Sequence, residues 1–207
     1  MRHVRRAIAV AATLCAAAAA QADPARVPQR LLAPITVSEP DQTLFNEAVL
    51  IYSNAVRRQH GRPPMRLDPG LSRAAAEHAR NMARLQTHSH ELPVRGQKKL
   101  SQRIKRQSLT YRQAAENIAM DKVYRLLGRP ISMSSRGCNF LYGDTMQPVP
   151  IHTYASLAEQ VVTRWLASPK HRASLLSATY QRLGAGVGVD PQGPACGDLY
   201  LVQDFAD

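Results

Sequence analysis

The chain has 207 residues, of which 44% are hydrophobic and 20% are charged, and its formal net charge at pH 7 is +12. This length suits one domain with a core of its own, and the absence of internal repeats excludes a repeat architecture. The excess of lysine and arginine favours acidic partners such as lipid headgroups, envelope polymers or nucleic acid, without selecting among them.

The first 22 residues, MRHVRRAIAVAATLCAAAAAQA, have the pattern of a secretory signal peptide. A basic start and an apolar run precede a small-x-small end at Ala20-Gln21-Ala22, so we expect cleavage before Asp23. The apolar run is shorter than the roughly 20 residues that span a membrane. We therefore expect an exported protein, periplasmic or extracellular, with no transmembrane segment in the mature chain.

Four elements are predicted in the first half of the mature chain. Residues 23–40 are rich in proline, and we interpret them as a leader segment that is draped on the surface or disordered. One amphipathic helix is predicted from Asp41 to Gly61, and a second begins at Asp68-Pro69. His78 lies in the apolar stripe of the second helix, which predicts a hydrogen-bonded core histidine. A short basic helix is predicted around residues 100–107.

The second half of the chain begins with an irregular stretch, residues 121–155, and continues with a third long helix that ends at Ser168. The segments RLGAGVGVD and LYLVQDFA then predict a β-hairpin. Helices therefore come first and antiparallel strands late, an order typical of an α+β layered domain. Cys138 and Cys196 are expected to pair in an oxidising compartment, with a zinc pair as the weaker alternative because neither belongs to a C-x-x-C unit.

His171 is the most informative of the polar positions that could carry chemistry. Ser168-Pro169 predicts a helix start with the Ser168 hydroxyl as its N-cap, which places His171 in the first turn. The positive end of the helix and the neighbouring Arg172 disfavour the imidazolium form, so we expect a neutral ring. The alternative is that His171 only packs beside Trp165.

Several motifs give the sequence a resemblance to a known family. ENIAM at 116–120, VVTRWLASPKHRASLL at 161–176 and RLGAGVGV at 182–189 resemble the bacterial branch of the CAP (or SCP) family, which includes cysteine-rich secretory proteins, antigen 5 and plant pathogenesis-related proteins. The segment RRQHGRPPMRLDPGLSRAAAEHARNMA resembles the family's opening helices. The resemblance implies a three-layer α-β-α sandwich with a central antiparallel sheet. We therefore interpret residues 41–207 as one CAP domain with an insertion at about 121–155.

The resemblance also implies a cleft in which two histidines and two glutamates can hold a divalent cation such as zinc. Glu116 matches the glutamate of ENIA and His171 the histidine of SPxHR, while His90 best matches the other histidine and His88 is the fallback. Ser168 stands where the second glutamate usually lies. The predicted metal site is therefore His90, Glu116 and His171, and the candidate catalytic residues are Glu116 and His171.

The insertion departs from the family pattern, because bacterial members usually have a much shorter link there. We expect it to fold over one end of the cleft and to be tied to the C-terminal hairpin by a Cys138–Cys196 disulfide. The alternative is a tolerated surface insertion.

Two functions follow from the resemblance. The first is a secreted binding module whose cleft takes a metal, lipid or envelope ligand, without established catalysis. The alternative is a metal-assisted, peptidase-like hydrolase that uses the same histidines and Glu116. The sequence has no HExxH pair and no G-x-S-x-G elbow, and a Ser168 hydroxyl committed to an N-cap is a poor nucleophile.

A cluster of basic residues could also contact an anionic surface. Nucleic acid is the weaker interpretation, because export argues against it and few aromatic residues lie nearby. The cluster consists of Lys98, Lys99, Arg103, Lys105 and Arg106.

Overall fold

The computed structural model describes residues 27–133 and 137–207, so the predicted signal peptide lies outside the described residues. Within these ranges the chain forms α1 (Gln42–Gln59), β1 (Arg66–Leu67), α2 (Pro69–Leu85), α3 (Leu100–Arg106), β2 (Ala114–Lys122), β3 (Ile131–Met133), β4 (Phe140–Tyr142), α4 (Tyr154–Ala167), α5 (Pro169–Leu175), β5 (Arg182–Asp190) and β6 (Asp198–Ala206). None of the helices in this part of the chain is long and apolar enough to cross a membrane.

The predicted helix starts are confirmed by their caps. The Asp41 carboxylate accepts hydrogen bonds from two backbone amides in the first turn of α1, and the Asp68 carboxylate does the same for α2. Pro69 occupies the first position of α2, where its missing N–H costs nothing. These side chains fix where both helices leave the preceding loops.

The central sheet has the strand order β1-β5-β6-β2. The three long strands are antiparallel, as expected, and the hairpin of β5 and β6 is confirmed. The two-residue β1 pairs with β5 in parallel, so the sheet as a whole is mixed. In this register Glu116 of β2 lies opposite Asp204 of β6, which in turn lies opposite Gly184 of β5.

Helices cover both faces of the sheet, which confirms the α-β-α sandwich. On one face α2 lies directly against three glycines of β5, because a Cβ added at Gly184, Gly186 or Gly188 would come within 2.1–2.3 Å of the α2 backbone. On the other face α1 and α4 bury an apolar core that includes Phe45, Trp165 and the apolar odd-numbered side chains of β5 and β6.

Side chains of α1 complete the hydrogen bonding of β5 beyond the short β1. The Gln42 carboxamide donates to the Val187 carbonyl (2.8 Å) and accepts from the Val187 amide (3.0 Å). The Asn46 carboxamide oxygen accepts from the Ala185 amide at 2.7 Å. Two carboxamides thus take the place of a neighbouring strand.

The leader segment is ordered over its described part. It forms a short 3₁₀ turn at Gln29–Leu32, and Leu31 and Ile35 are inserted into the core beside α1 and α4. Burial of these two apolar side chains explains why the segment is held against the domain.

The insertion forms the β3–β4 hairpin, and the predicted Cys138–Cys196 disulfide ties it to the connection between β5 and β6. It follows Lys122, six residues along β2 from Glu116 and therefore about 20 Å away at about 3.3 Å per residue. Its apolar contacts include Cys196 and its neighbour Ala195. The insertion thus covers the end of the sheet that is remote from Glu116, rather than the cleft end that we expected.

Candidate functional site

The candidate site is built around Glu116, near the start of the edge strand β2. Its side chain is only 3% exposed. One carboxylate oxygen accepts a hydrogen bond from His90 Nδ1 at 2.8 Å, and the other accepts from the Arg103 guanidinium. His78 Nε2 lies 3.7 Å from the second oxygen. Both oxygens of Glu116 are therefore committed within the protein.

Arg103 of α3 is completely buried, which corrects its assignment to the basic surface cluster. Besides pairing with Glu116, its guanidinium donates to the backbone carbonyls of His90 (3.2 Å), Gln97 (3.3 Å) and Lys98 (3.3 Å). The carboxylate and these carbonyls compensate for the loss of solvent around the charge. Arg103 thereby fixes the loop between α2 and α3, which carries His90.

The other members of the basic cluster are still candidates for an anionic surface contact. Lys98 faces Glu91 at 3.8 Å, and Arg106 lies 4.0 Å from Glu77, so part of their charge is balanced locally. Lys99 and Lys105 are exposed.

Glu116 determines the orientation of the His90 ring. Burial alone would raise the pKa of Glu116, but the hydrogen bond from His90 and the positive charge of Arg103 outweigh burial, so the pKa is lowered. The ionised carboxylate assigns the Nδ1 proton of a neutral His90 to the shared hydrogen bond. Because the His90 side chain is 56% exposed, Nε2 is left as the acceptor available at the surface.

His78 is a buried residue of α2 that bonds to the loop between α2 and α3, which confirms the prediction of a core histidine. Its ring is 1% exposed, and Nε2 donates to the Ser89 carbonyl at 3.0 Å. Burial outweighs the nearby Glu116 and lowers the pKa of His78 to about 4. His78 is thus a neutral structural residue at neutral pH.

Asp204 is a buried acid that sequence reasoning missed. It lies opposite Glu116 in the β2–β6 ladder and is 0% exposed, and neither carboxylate oxygen has a hydrogen-bond partner among the described residues. Burial and then the negative charge of Glu116 raise the pKa of Asp204 well above its ordinary value. In its protonated form Asp204 can donate to Glu116. An acid inside the mostly apolar segment LYLVQDFA was the available signal.

His171 reaches the site from the other side of the β2 edge. The Asn117 side chain donates to the His171 carbonyl (3.2 Å) and to Gln203 Oε1 (3.3 Å), which ties the first turn of α5 to the sheet. Two donors from α4 also cover this edge, since Trp165 bonds the Ile118 carbonyl and Arg164 bonds the Met120 carbonyl.

The neutral state expected for His171 agrees with the structure, but its cause differs. Partial burial, then the charges of His90 and Arg164, lower the pKa of His171. The predicted cap is wrong, since Ser168 occupies the N-cap position without a side-chain hydrogen bond. Its hydroxyl is therefore not committed in the way we expected.

His88 belongs to the same cluster of imidazoles. Its pKa is lowered by partial burial and then by the charges of His90, His171 and Arg164. The two candidates for the first histidine, His88 and His90, thus both lie within electrostatic range of His171. Of these two histidines, only His90 has a described hydrogen bond to Glu116.

The donor set fits a divalent cation in part. His90 and His171 offer imidazole nitrogens, which zinc accepts readily. Both Glu116 oxygens already accept a hydrogen bond, one from His90 and one from Arg103, so a cation at Glu116 would compete with these donors. Within residues 27–133 and 137–207, no three His, Cys, Asp or Glu side chains stand together as a ready metal site. The set His90, Glu116 and His171 therefore stays a prediction, in which Glu116 positions His90.

The fold and this histidine-lined sheet edge define a class of three-layer α-β-α domains. The family model described as the cysteine-rich secretory protein family, CAP, matches residues 50–205. The match covers most of the sequence, so the chain belongs to the CAP family. No curated protein matches the chain at a significant level.

Solved structures with the same fold come from bacterial extracellular and surface proteins. An extracellular protein containing an SCP domain from Bacillus anthracis is 20% identical with a TM-score of 0.54, covering 84% of this chain and 44% of its own. An outer surface protein from Borrelia burgdorferi is 16% identical with a TM-score of 0.53, covering 80% of this chain and 95% of its own. At these identities the likeness shows the fold alone, and the chain spans under half of the Bacillus protein.

Proposed function

We propose that the chain is an exported CAP-domain binding module whose ligand contacts the imidazoles of His90 and His171 at the outer edge of β2. The observation that carries this proposal is the buried Glu116 carboxylate, which holds one nitrogen of an exposed histidine and leaves the other nitrogen facing outward. Export is supported by the signal-peptide pattern and by the extracellular and surface proteins that share the fold.

The arrangement is costly for folding, which favours a role in binding. Arg103 and Glu116 lose their hydration when they are buried, and replacing such a pair with apolar residues is often neutral or stabilising. The buried pair fixes the tautomer and the orientation of His90. Both favour binding of a ligand that accepts an electron pair. A divalent cation such as zinc is the simplest ligand of this chemistry, and it would supply a Lewis acid held by His90 and His171.

A zinc titration tests the proposal. Calorimetry on the mature protein is compared with His90→Ala, His171→Ala and the control His60→Ala, which removes an exposed histidine at the end of α1. We expect one zinc per chain for the wild type and the control, and at least a tenfold weaker affinity for the other two variants. The proposal fails in this form if the wild type does not bind zinc or if all four proteins bind it equally.

A second candidate, hydrolysis, is favoured by one feature of the same site. A carboxylate that holds His90 by Nδ1 leaves Nε2 able to take a proton from water, the arrangement that hydrolytic triads use. Turnover of p-nitrophenyl acetate and labelled casein is the measurement. A hydrolase should lose turnover in His90→Gln and keep it in His60→Gln, whereas equal background rates in all three proteins would exclude this candidate.

A further inference from the structure

The insertion carries most of the exposed large hydrophobic side chains. Six such side chains are exposed in the described residues, and two of them, Leu32 and Leu67, lie outside the insertion. The other four are named here the apolar tip: Leu127, Ile131, Met133 and Met146, with exposed fractions of 49%, 38%, 63% and 59%.

The backbone at two of these positions is unfavourable for a bulky residue. Leu127 has φ of 56° and Met146 has φ of 55°, in the left-handed region that turns usually fill with glycine or asparagine. Burial in the core would compensate for this strain, but both side chains are largely exposed. Strain without a folding benefit points to a use outside the monomer.

The strands of the hairpin carry the other two exposed side chains of the apolar tip. Ile131 lies opposite Tyr142 and Met133 lies opposite Phe140, and residues directly opposite in an antiparallel pair share one face. Phe140 and Tyr142 are buried in a small cluster with residues near the disulfide. Ile131 and Met133 therefore extend that cluster outward into solvent.

The hairpin is built rigidly enough to present these side chains. The Cys138–Cys196 disulfide anchors it to the main domain. Arg129 pairs with Asp144 across the two turns and lies 3.7 Å above the Tyr142 ring. The apolar tip is thus held by a disulfide and an ion pair.

We propose that the apolar tip inserts into the interface of a lipid bilayer and holds the domain at a membrane surface. Four side chains bury far less than the about 1,200 Å² of a stable protein interface, but they are enough for reversible insertion between headgroups. The acidic residues of the insertion are Asp121 and Asp144, and both face arginines, so no uncompensated carboxylate must be desolvated. Lysine and arginine still outnumber the acidic residues after the signal peptide is removed, which adds attraction to an anionic leaflet.

Vesicle partitioning tests this role with a matched control. The probe is vesicles of phosphatidylcholine with phosphatidylglycerol, and the test variant combines Leu127→Ser, Met133→Ser and Met146→Ser. The control variant combines Leu32→Ser and Leu67→Ser, which removes exposed leucines elsewhere. We expect partitioning to fall about tenfold or more in the test variant and to stay at the wild-type level in the control. Circular dichroism should be the same for all three, since the changed side chains are exposed.

Other outcomes overturn the proposal. If the wild type does not bind vesicles, or if the test variant binds as well as the wild type, the tip has no membrane role. If sedimentation shows a wild-type dimer that the test variant loses, in the absence of vesicle binding, the tip joins two copies of the chain instead.

Discussion

The pair of Arg103 and Glu116 joins two parts of the candidate site that are distant along the chain. Glu116 lies on the sheet, whereas Arg103 lies on α3 and holds the loop that carries His90 through its carbonyls. One ion pair thus couples the position of the histidine to the position of the strand. Damage to the pair should therefore affect both stability and the orientation of His90.

We predict that Arg103→Met lowers the free energy of unfolding by about 3–5 kcal/mol, because it leaves the Glu116 carboxylate buried without its cation. Lys105→Met on the same helix removes an exposed charge and should change stability by less than about 0.5 kcal/mol. Urea denaturation measures both. Equal effects of the two substitutions would contradict the structural role of Arg103.

Asp204→Asn should change the pH dependence of stability. The pKa of Asp204 is raised in the folded state by burial and by Glu116, so the folded protein keeps a proton that the unfolded chain releases above about pH 4. The free energy of unfolding therefore falls as the pH rises from about 4 through the folded pKa, by about 1.4 kcal/mol per pH unit for this one proton.

The variant lacks this slope. The free energy of unfolding of the variant, minus that of the wild type, should therefore rise with pH above about 4 and stay constant below about pH 4. His78 and His152, whose pKa values are lowered to about 4, are common to both proteins and cancel in the difference. Denaturation of both proteins at a series of pH values gives the result. Parallel curves would show that Asp204 is ionised in the folded protein.

Single residues were predictable from the sequence where one neighbour decides their state. His78 lies in an apolar stripe, and Asp41 and Asp68 precede helices, so burial and capping follow directly. Arg103 and Asp204 were not predictable in this way, because each is held by a partner that only the β2–β6 register and the path of α3 bring close. Ser168 shows the same limit. The Ser-Pro motif correctly predicts where α5 begins, but it does not determine the hydrogen bond of the Ser168 hydroxyl.

At the level of elements, close contact between α2 and β5 depends on the glycines of the sheet. Gly186 is the middle one of the three, and an added Cβ there would lie 2.3 Å from the Ala76 nitrogen, with only α2 backbone atoms as its nearest neighbours. Backbone atoms in a packed helix cannot move aside as a flexible side chain can. A methyl group there must push the helix and sheet apart.

We predict that Gly186→Ala lowers the free energy of unfolding by about 3 kcal/mol, the upper range for overpacking. Ala185→Gly, next to it on the opposite face, should cost about 1 kcal/mol through backbone entropy and one lost methyl group. Calorimetric melting of both variants provides the comparison. A melting temperature of Gly186→Ala close to that of the wild type would mean that the layers separate easily.

The elements themselves were largely predictable, because caps, breakers and periodicity act locally. The five helices, the β5–β6 hairpin and the disulfide partners agree with the sequence patterns. The position of the insertion was not predictable, because an irregular sequence does not show against which part of the domain the segment packs. The disulfide indicated its anchor, but not that this anchor lies about 20 Å along β2 from Glu116.

For the whole molecule, the disulfide should matter more to the insertion than to the core. Replacing both Cys138 and Cys196 with serine frees a loop of 58 residues, which should lower the free energy of unfolding by about 2–4 kcal/mol. Limited proteolysis should then cut first within the insertion. Wild-type protein under reducing conditions should behave like the variant, and identical resistance of the oxidised protein and the variant would contradict this account.

The side chains that cover the sheet edges have a consequence for how the protein behaves at high concentration. Exposed strand edges are templates on which another chain can add and start a fibril. Here Gln42 and Asn46 occupy backbone groups of β5, while Trp165 and Arg164 occupy carbonyls of β2. A second chain would first have to displace these helix side chains, so the fold resists growing into an aggregate from either side.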